Sequence, residues 1–541
     1  MKKNGFIDGA LLSTISIIVT KSLGLLYVIP FYKLIGQKGG ELYSYAYNLY
    51  AIFLAISMSG LPSSISKIIS EYDAIGYNEA KVRTFKIAKK LISYISLIAF
   101  FIMFLFAPFF AKVILGNING NNIKDVTLVI RSISFAILIV PYISVSKGFL
   151  QGNKFMFPTS VSNILEQIIR ISIILLGSFI SIKVLKLNVV YGVCIAVSGA
   201  FFGGLVSKFY LKYIIHKNKK VLKIRTYKRK NKVSNNEILG KIIKYSLPFV
   251  IISIATNIYA FTDMILILRG LTYIGFSASV AEFIQSAITT WSNKICMIIS
   301  SLSLGLSISL IPNIVSSNVR NKTNEIEINL NKAYQIILIV GLPASIGLFI
   351  ISSPVWTVFY GYNKYGSMIL KFLVFNVLLS TVYNITLNTM QSLNKFKIVY
   401  ISTILGFIVN ATLDIPIMLL LYWLKLPPYL GFIFASIIGF ALSIKVSIYY
   451  LKRDYNIRFN ETKSLFKRLI IPLSVMILIL FVINNLIKFN TTKIIPSFIM
   501  IFMNMIIGSI VYLLICHKLG ILKSVFGEKY EMFIKKLILF K

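Results

Sequence analysis

The residues best placed to do chemistry here are charges set inside long apolar runs. Lys21, in "TKSLGLLYVIP", sits within a run from Phe6 to about Phe31. That is roughly 22 Å along a helix rising ~1.5 Å per residue, too deep for the ammonium to reach an interface easily. A second constellation is Asn163, Glu166, Gln167 and Arg170, whose i, i+3, i+4, i+7 spacing places all four on one helical face. Glu166 and Arg170 are spaced to pair, and a purely structural pair is an equal alternative. Lys294 follows Trp291 and Asn293, Arg269 closes an apolar run, and Lys67 lies near the end of another. A charge at a bilayer centre costs at least ~2.5–3.5 kcal/mol on insertion scales, so such groups face protein or a watery hollow. Cations so placed give a cationic interior of the kind a transporter would use.

Two acids form a different set. Asp263 shares a stripe with Ser253 and Thr256, and Asp414 lies one turn beyond Asn410. Oxygen ligands from two helices suit a small hard cation or a proton; a buried Asp–Asn hydrogen-bond network is the plainer alternative. Cys194, Cys296 and Cys516 are far apart and give neither a disulfide framework nor a metal spacing. His216 and His517 sit at helix ends and read as solvated. There is no GxxxxGK[ST], nucleophile elbow or HExxH, so a P-loop motor is excluded and catalysis has no foothold.

What must position these groups is a set of membrane helices. Of 541 residues, 57% are hydrophobic, and the mean hydropathy is +0.81. A water-soluble domain cannot bury that much apolar side chain. Apolar runs fall near 6–31, 42–70, 84–111, 125–147, 157–182, 188–211, 242–268, 283–315, 333–360, 367–391, 398–423, 428–451, 468–488 and 494–516. Each can cross a ~30 Å hydrocarbon core as a helix, and none alternates as barrel strands do. The expectation is an all-α polytopic protein of about fourteen spans, its first run too long for a removable signal peptide.

The formal net charge of +40 would suggest nucleic acid in a soluble protein. Here the larger share of the 57 Lys and Arg falls on alternate connections, the positive-inside pattern that puts both termini in the cytoplasm. The run "HKNKKVLKIRTYKRKNKVSNNEILGK" reads as a linker resting on anionic headgroups, not as a nucleic-acid site. The expected divisions are residues 1–215, a basic linker 216–241, 242–451, and an appended pair with its tail, 452–541. Two matches tie the halves together: "LQGNKFMFPTS" with "MQSLNKFKIVYIS", stepping from Lys154 to Lys395, and "GLPSSISKIIS" with "GLSISLIPNIVS", stepping from Gly60 to Gly305. Six spans per half give a parallel repeat with its pseudo-twofold axis along the membrane normal, an arrangement that flanks a substrate path.

"TKSLGLLYVIPFYKLIG", "YSYAYNLYAIFLAISMSGLPSSISKIISEY", "RSISFAILIVPYISVSKGFLQGNKFMFPTSVSNILEQIIR" and "YSLPFVIISIATNIYAFTDMIL" together resemble the polysaccharide-exporter branch of the MOP (MATE-like) flippase superfamily. They are most similar to MurJ/YtgP lipid II flippases and stage V sporulation protein B relatives. The resemblance implies two six-helix lobes around a cationic cavity, a groove for a polyprenyl tail at spans 13 and 14, and alternating access. It implies a bacterial cytoplasmic membrane protein that carries a lipid-linked, diphosphate-bearing peptidoglycan precursor to the outer leaflet. The family's basic residue in span 1 lands on Lys21, while a second Arg usual in MurJ falls on Tyr27. Basic candidates for the shortfall are Lys67, Arg269 and Lys294. A family sodium site matches Asp263, Asn410 and Asp414, with no other cofactor implied. Alternatives are another lipid-linked glycan or spore-cortex precursor as cargo, a MATE-type cation-coupled antiporter, or a non-transporting envelope protein.

Overall fold

The computed structural model describes residues 6–116, 120–222, 224, 233–487, 489–527 and 530, without the side chains of 6–15, 308 and 309. All regular structure among them is helical. The order is α1 (Phe6–Leu26), α2 (Val28–Met58), α3 (Leu61–Ala74), α4 (Asn78–Leu105), α5 (Ala107–Leu115), α6 (Ile123–Gly152), α7 (Met156–Ser172), α8 (Val189–Lys217), α9 (Asn235–Tyr273) and α10 (Ala278–Ser286). There follow α11 (Ser292–Val319), α12 (Thr323–Ile336), α13 (Leu342–Ile350), α14 (Ser352–Tyr360), α15 (Lys364–Ser392), α16 (Phe396–Trp423), α17 (Leu430–Tyr455), α18 (Asn460–Leu486), α19 (Ile494–Lys518) and α20 (Ile521–Phe526). Turns of π-helix, Ile173–Gly177, Ile180–Val184, Ala287–Trp291 and Ile337–Gly341, extend several of these. Among the described residues thirteen stretches are long and apolar enough to cross a membrane, and Ser16–Leu26 within α1 is a shorter apolar helix. The chain is a multi-pass membrane protein.

The helices break where glycine or proline interrupts them. Gly36, at φ 64°, bends α2, and Gly60, at φ 70°, separates α2 from α3 just before Pro62. Gly60 is required twice over, because a Cβ there would also lie 2.4 Å from Phe249 Cβ of α9. The first expected span, 6–31, is likewise broken, at Tyr27.

Packing divides the chain into two units, 1–290 and 291–541. In the first, α9 lies against α2, α3, α4 and α5. The helix after the basic linker therefore packs with the elements before it, and the boundary between the two units falls within the π turn Ala287–Trp291. Residues 223 and 225–232 of that linker lie outside the described residues. A core of Ile65, Ile69, Ile92, Leu211 and Ile242, with Phe85 stacked on Phe149 at 4.2 Å, holds α3, α4, α6, α8 and α9 together.

In the second unit α16 packs along α17 and α11 along α15. The expected appended pair, α18 and α19, docks on this unit through Leu469, Leu473, Met476 and Cys516. The Tyr512 hydroxyl donates to the Ile339 carbonyl at 2.9 Å, inside the π turn Ile337–Gly341, where widening of the helix frees a backbone acceptor. Trp291 and Trp356 both pack on Tyr360, at 5.5 and 4.7 Å, and the Tyr360 hydroxyl donates to the Trp291 carbonyl at 2.8 Å.

The repeat survives at one of its two places. The turn after α6 closes with Phe155 N–H donating to Leu150 O and Lys154 N–H to Gln151 O, both 2.9 Å, with Lys154 at φ 66°. The turn after α15 closes identically: Lys395 N–H to Met390 O at 2.9 Å, Asn394 N–H to Gln391 O at 3.0 Å, and Asn394 at φ 56°. These are matched helix-stop motifs with a left-handed residue just past the end. The structural partner of Lys154 is therefore Asn394, one residue before the expected Lys395. Gly60 and Gly305 do not correspond in the same way, since α11 runs unbroken through Gly305 while Gly60 ends a helix.

Candidate functional site

The polar interior of the first unit is built on the contact between α7 and α8. In α8, "GAFFG" places Gly199 and Gly203 four residues apart on one face, a spacing that lets helix backbones approach in a membrane. A Cβ on Gly203 would lie 2.5 Å from the Glu166 carbonyl oxygen, and one on Gly199 would lie 2.9 Å from that of Arg170. Ser162 and Ser207 hydroxyls meet at 2.5 Å further along, and Ser16 of α1 donates to Ser160 O at 3.0 Å. Close packing on one side of α7 thus fixes what its other side presents.

That side carries Glu166 and Arg170, and they do not pair with each other. Glu166 accepts from Lys147 Nζ of α6 at 3.0 Å, each side chain about one-fifth exposed. The Arg170 guanidinium instead lies 5.3 Å from the Tyr47 ring of α2, a cation–π contact. Intrahelical spacing allowed the Glu166–Arg170 pair, but the lysine on the neighbouring helix takes the carboxylate. The sequence alone does not single out Lys147; its place on α6 beside α7 makes it the partner.

Arg170 faces a column of tyrosines. Tyr43 stacks on Tyr47 at 4.5 Å, Tyr50 meets Tyr47 edge-on at 5.9 Å, and the hydroxyls of Tyr27 and Tyr43 lie 3.4 Å apart. Tyr27, where the resemblance led one to look for a second Arg, joins this column at the break between α1 and α2. The i, i+4, i+7 recurrence of Tyr43, Tyr47 and Tyr50 in "YSYAYNLY" is legible as a face, though not as one turned toward α7.

The remaining cations lie on other helices. Lys21 is half-buried on α1, which packs along α7. Lys67 is exposed, with Nζ 4.1 Å over the Tyr245 ring of α9. Arg269 is exposed at the end of α9 and donates to the Val113 carbonyl at 3.1 Å, satisfying an end carbonyl of α5. In the second unit Lys294 sits 5.7 Å over the Trp291 ring.

The acid set is buried. Asp263 lies on α9 in the first unit; Asn410 and Asp414 lie on α16 in the second, both fully buried. On α16 the buried positions Ile398, Ser402, Gly406, Asn410, Asp414 and Met418 recur every fourth residue, one ridge of a helix packed into its neighbour. Ser443 of α17 holds this ridge, donating to Ser402 O at 2.8 Å, and a Cβ on Gly406 would fall 2.1 Å from its Oγ. Hard oxygen donors without sulfur or imidazole fit an alkali cation better than a transition metal.

Residues 6–317 match the family described as "Polysaccharide biosynthesis protein". Among curated proteins, the chain is similar to lipid II flippase MurJ of Bacillus subtilis (strain 168), at 29% identity over 98% of both chains. It is also similar to stage V sporulation protein B of the same organism, at 25% over 82% of this chain and 81% of that one. Among solved structures, a lipid II flippase MurJ in an inward closed conformation superposes with TM-score 0.63 at 17% identity, covering 95% of this chain and 99% of the other. An inward-facing multidrug-resistance MATE family transporter superposes with TM-score 0.63 at 14% identity, covering 82% and 98%.

Proposed function

We propose, since this chain belongs to the polysaccharide biosynthesis protein family, that it is a lipid II flippase. It moves a polyprenyl-diphosphate-linked peptidoglycan precursor from the inner to the outer leaflet of a bacterial cytoplasmic membrane by alternating access. The chain is a transporter, not an enzyme. The observation that carries this reading is the full-length similarity to a lipid II flippase, 29% identity over 98% of both chains. The excess of Lys and Arg, 57 against 17 Asp and Glu, argues against a MATE-type antiporter of organic cations.

The charge of the molecule supports an anionic cargo. Lys21, Lys67 and Arg170 in the first unit and Lys294 in the second supply positive charge within or beside apolar helices. In low dielectric these offset the cost of desolvating two phosphates. Arg170 is braced rather than neutralised, because its contact is an aromatic face and the nearby carboxylate is held by Lys147. Basic connections rest on anionic lipid at the cytoplasmic side, where both termini lie. Sodium is the proposed coupling ion, with Asn410 and Asp414 of α16 as its candidate ligands in the second unit and Asp263 of α9 a separate candidate in the first. It would bias one facing state by differential affinity.

The deciding experiment is complementation of a cell depleted of its lipid II flippase, read together with labelling of outer-leaflet lipid II. Wild type should restore both growth and label, Lys21→Ala neither, and Lys21→Arg at least part. Growth without outer-leaflet label, or full rescue by Lys21→Ala at equal expression, would overturn the assignment of cargo or of ligand respectively.

A further inference from the structure

The seam between α2 and α10 takes no part in the chemistry above, yet it is a buried contact lined with polar side chains. After the bend at Gly36, Gln37, Glu41, Ser44 and Asn48 recur at i, i+4, i+7, i+11 along α2. Across from them stand Glu282 and Gln285 of α10 and Thr289 and Thr290 of the following π turn. Gln37 Nε2 donates to Ser279 O at 3.4 Å, Asn48 Nδ2 to Thr289 Oγ1 at 3.1 Å, and Gln285 Nε2 to Ser44 Oγ at 3.4 Å. Ser44 and Thr290 hydroxyls meet at 2.8 Å. Interhelical bonds of this neutral kind are individually weak in membranes, and water can replace them.

At one end of the seam two carboxylates are sealed in. Glu41 is 3% exposed, Glu282 2%, and Asn121, from the loop before α6, 4%. Asn121 Nδ2 donates to both, at 2.8 Å to Glu41 Oε2 and 3.0 Å to Glu282 Oε2. The Asn121 backbone N–H adds a 2.8 Å bond to Glu282 Oε1, and Gln37 Nε2 adds one of 3.0 Å to Glu41 Oε1. Gly120 closes the lid, because a Cβ there would lie 2.5 Å from the Glu282 carboxylate.

Two further observations point inward. The Tyr45 hydroxyl is fully buried and faces Glu282 without a well-formed hydrogen bond. None of the ion pairs among the described residues involves either glutamate. Among the described residues the titratable groups facing the pair are Tyr45 and Tyr32, both from α2, and the loop contributes the neutral Asn121. Two ionised carboxylates that share one amide and lack a cation repel each other in a dry site, and a single proton turns repulsion into a bond.

We propose that Glu41 and Glu282 jointly bind one proton, and that this proton holds α2 against α10. Loss of the proton drives the two helix ends apart, since two ionised carboxylates then repel across the single Asn121 amide that bridges them, opposed otherwise by the neutral, water-replaceable bonds of the seam. On the orientation proposed above this end faces outside, so the pair takes and returns its proton on that one side. It acts as a gate sensor rather than a carrier. The inference rests on the flippase reading only for which side's pH matters.

The test uses the full chain in lipid nanodiscs, with Cys194, Cys296 and Cys516 replaced by Ser and spin labels at Lys38→Cys and Ser279→Cys. Distances are recorded by pulsed electron resonance from about pH 5 to about pH 9. A single short distance is expected in acid. A longer population should grow with pH, the short-to-long ratio falling about tenfold per pH unit through the transition, as one linked proton requires. The Glu41→Gln/Glu282→Gln pair should hold the short distance at every pH. If that variant misfolds, as judged by its melting profile, Glu282→Gln alone should flatten the response, because one carboxylate remains without its repelling neighbour. A pH-invariant distance in the parent, or an unchanged pH response in a folded Gln variant, overturns the proposal. Lipid II translocation by the parent sample is scored separately: a responsive seam without translocation refutes the flippase reading and leaves the gate standing.

Discussion

Gly203→Ala is the sharpest test of how the site is positioned. The new Cβ would sit 2.5 Å from the Glu166 carbonyl oxygen and 3.3 Å from Arg170 Cβ. The first of these is backbone, so it cannot rotate away. To restore an ordinary contact near 3.4 Å, α7 and α8 must separate by about 0.9 Å at that point. Overpacking of this kind costs about 1–3 kcal/mol, enough to lower an apparent melting temperature by a few degrees. It also moves Glu166 off Lys147 and Arg170 off Tyr47, so outer-leaflet lipid II labelling should fall beyond what expression explains. Gly347→Ala is the control: it too is helical, but its added Cβ meets nothing within 4 Å, so stability should hold or rise slightly. If Gly203→Ala melts with the parent and supports full labelling, the α7–α8 contact does not set the geometry of Glu166 and Arg170.

Two more outcomes can be stated briefly. A double-mutant cycle on Lys147→Met and Glu166→Gln should show the double variant losing less stability than the two single losses summed, with a coupling of about 1–3 kcal/mol by thermal melting. Additive losses would mean that the 3.0 Å contact carries no net energy. Sodium, against potassium at equal ionic strength, should raise the melting temperature of the parent and leave Asp414→Ala unmoved; equal gains in both would make Asp414 a packing residue.

Much of this architecture is written in local pattern. Apolar length and glycine or proline breaks located the helices, and the turn at "LQGNKF" predicted its counterpart at "MQSLNK" to within one residue, because a helix-stop motif is a local hydrogen-bonding device. What pattern along one helix could not give is which neighbour a charge meets. Glu166 had an eligible partner four residues on, and lost it to a lysine nineteen residues back on α6. Glu41 and Glu282 are 241 positions apart and sit at the rims of their apolar runs, where a charge looks solvated. The signal available was the polar stripe from Gln37 to Asn48, too regular for a rim. Tertiary contact across long sequence separation sealed those carboxylates from water, and no one-helix periodicity encodes it.

The three tryptophans, Trp291, Trp356 and Trp423, all fall in the second unit. Two of them share the ring of Tyr360, and the third is largely exposed. Emission excited at the indole band will therefore report the second unit alone, while the first, however far its helices travel, stays optically dark. A single indole introduced beside Tyr47 would light the silent half, and the two signals could then be timed against each other through one turnover.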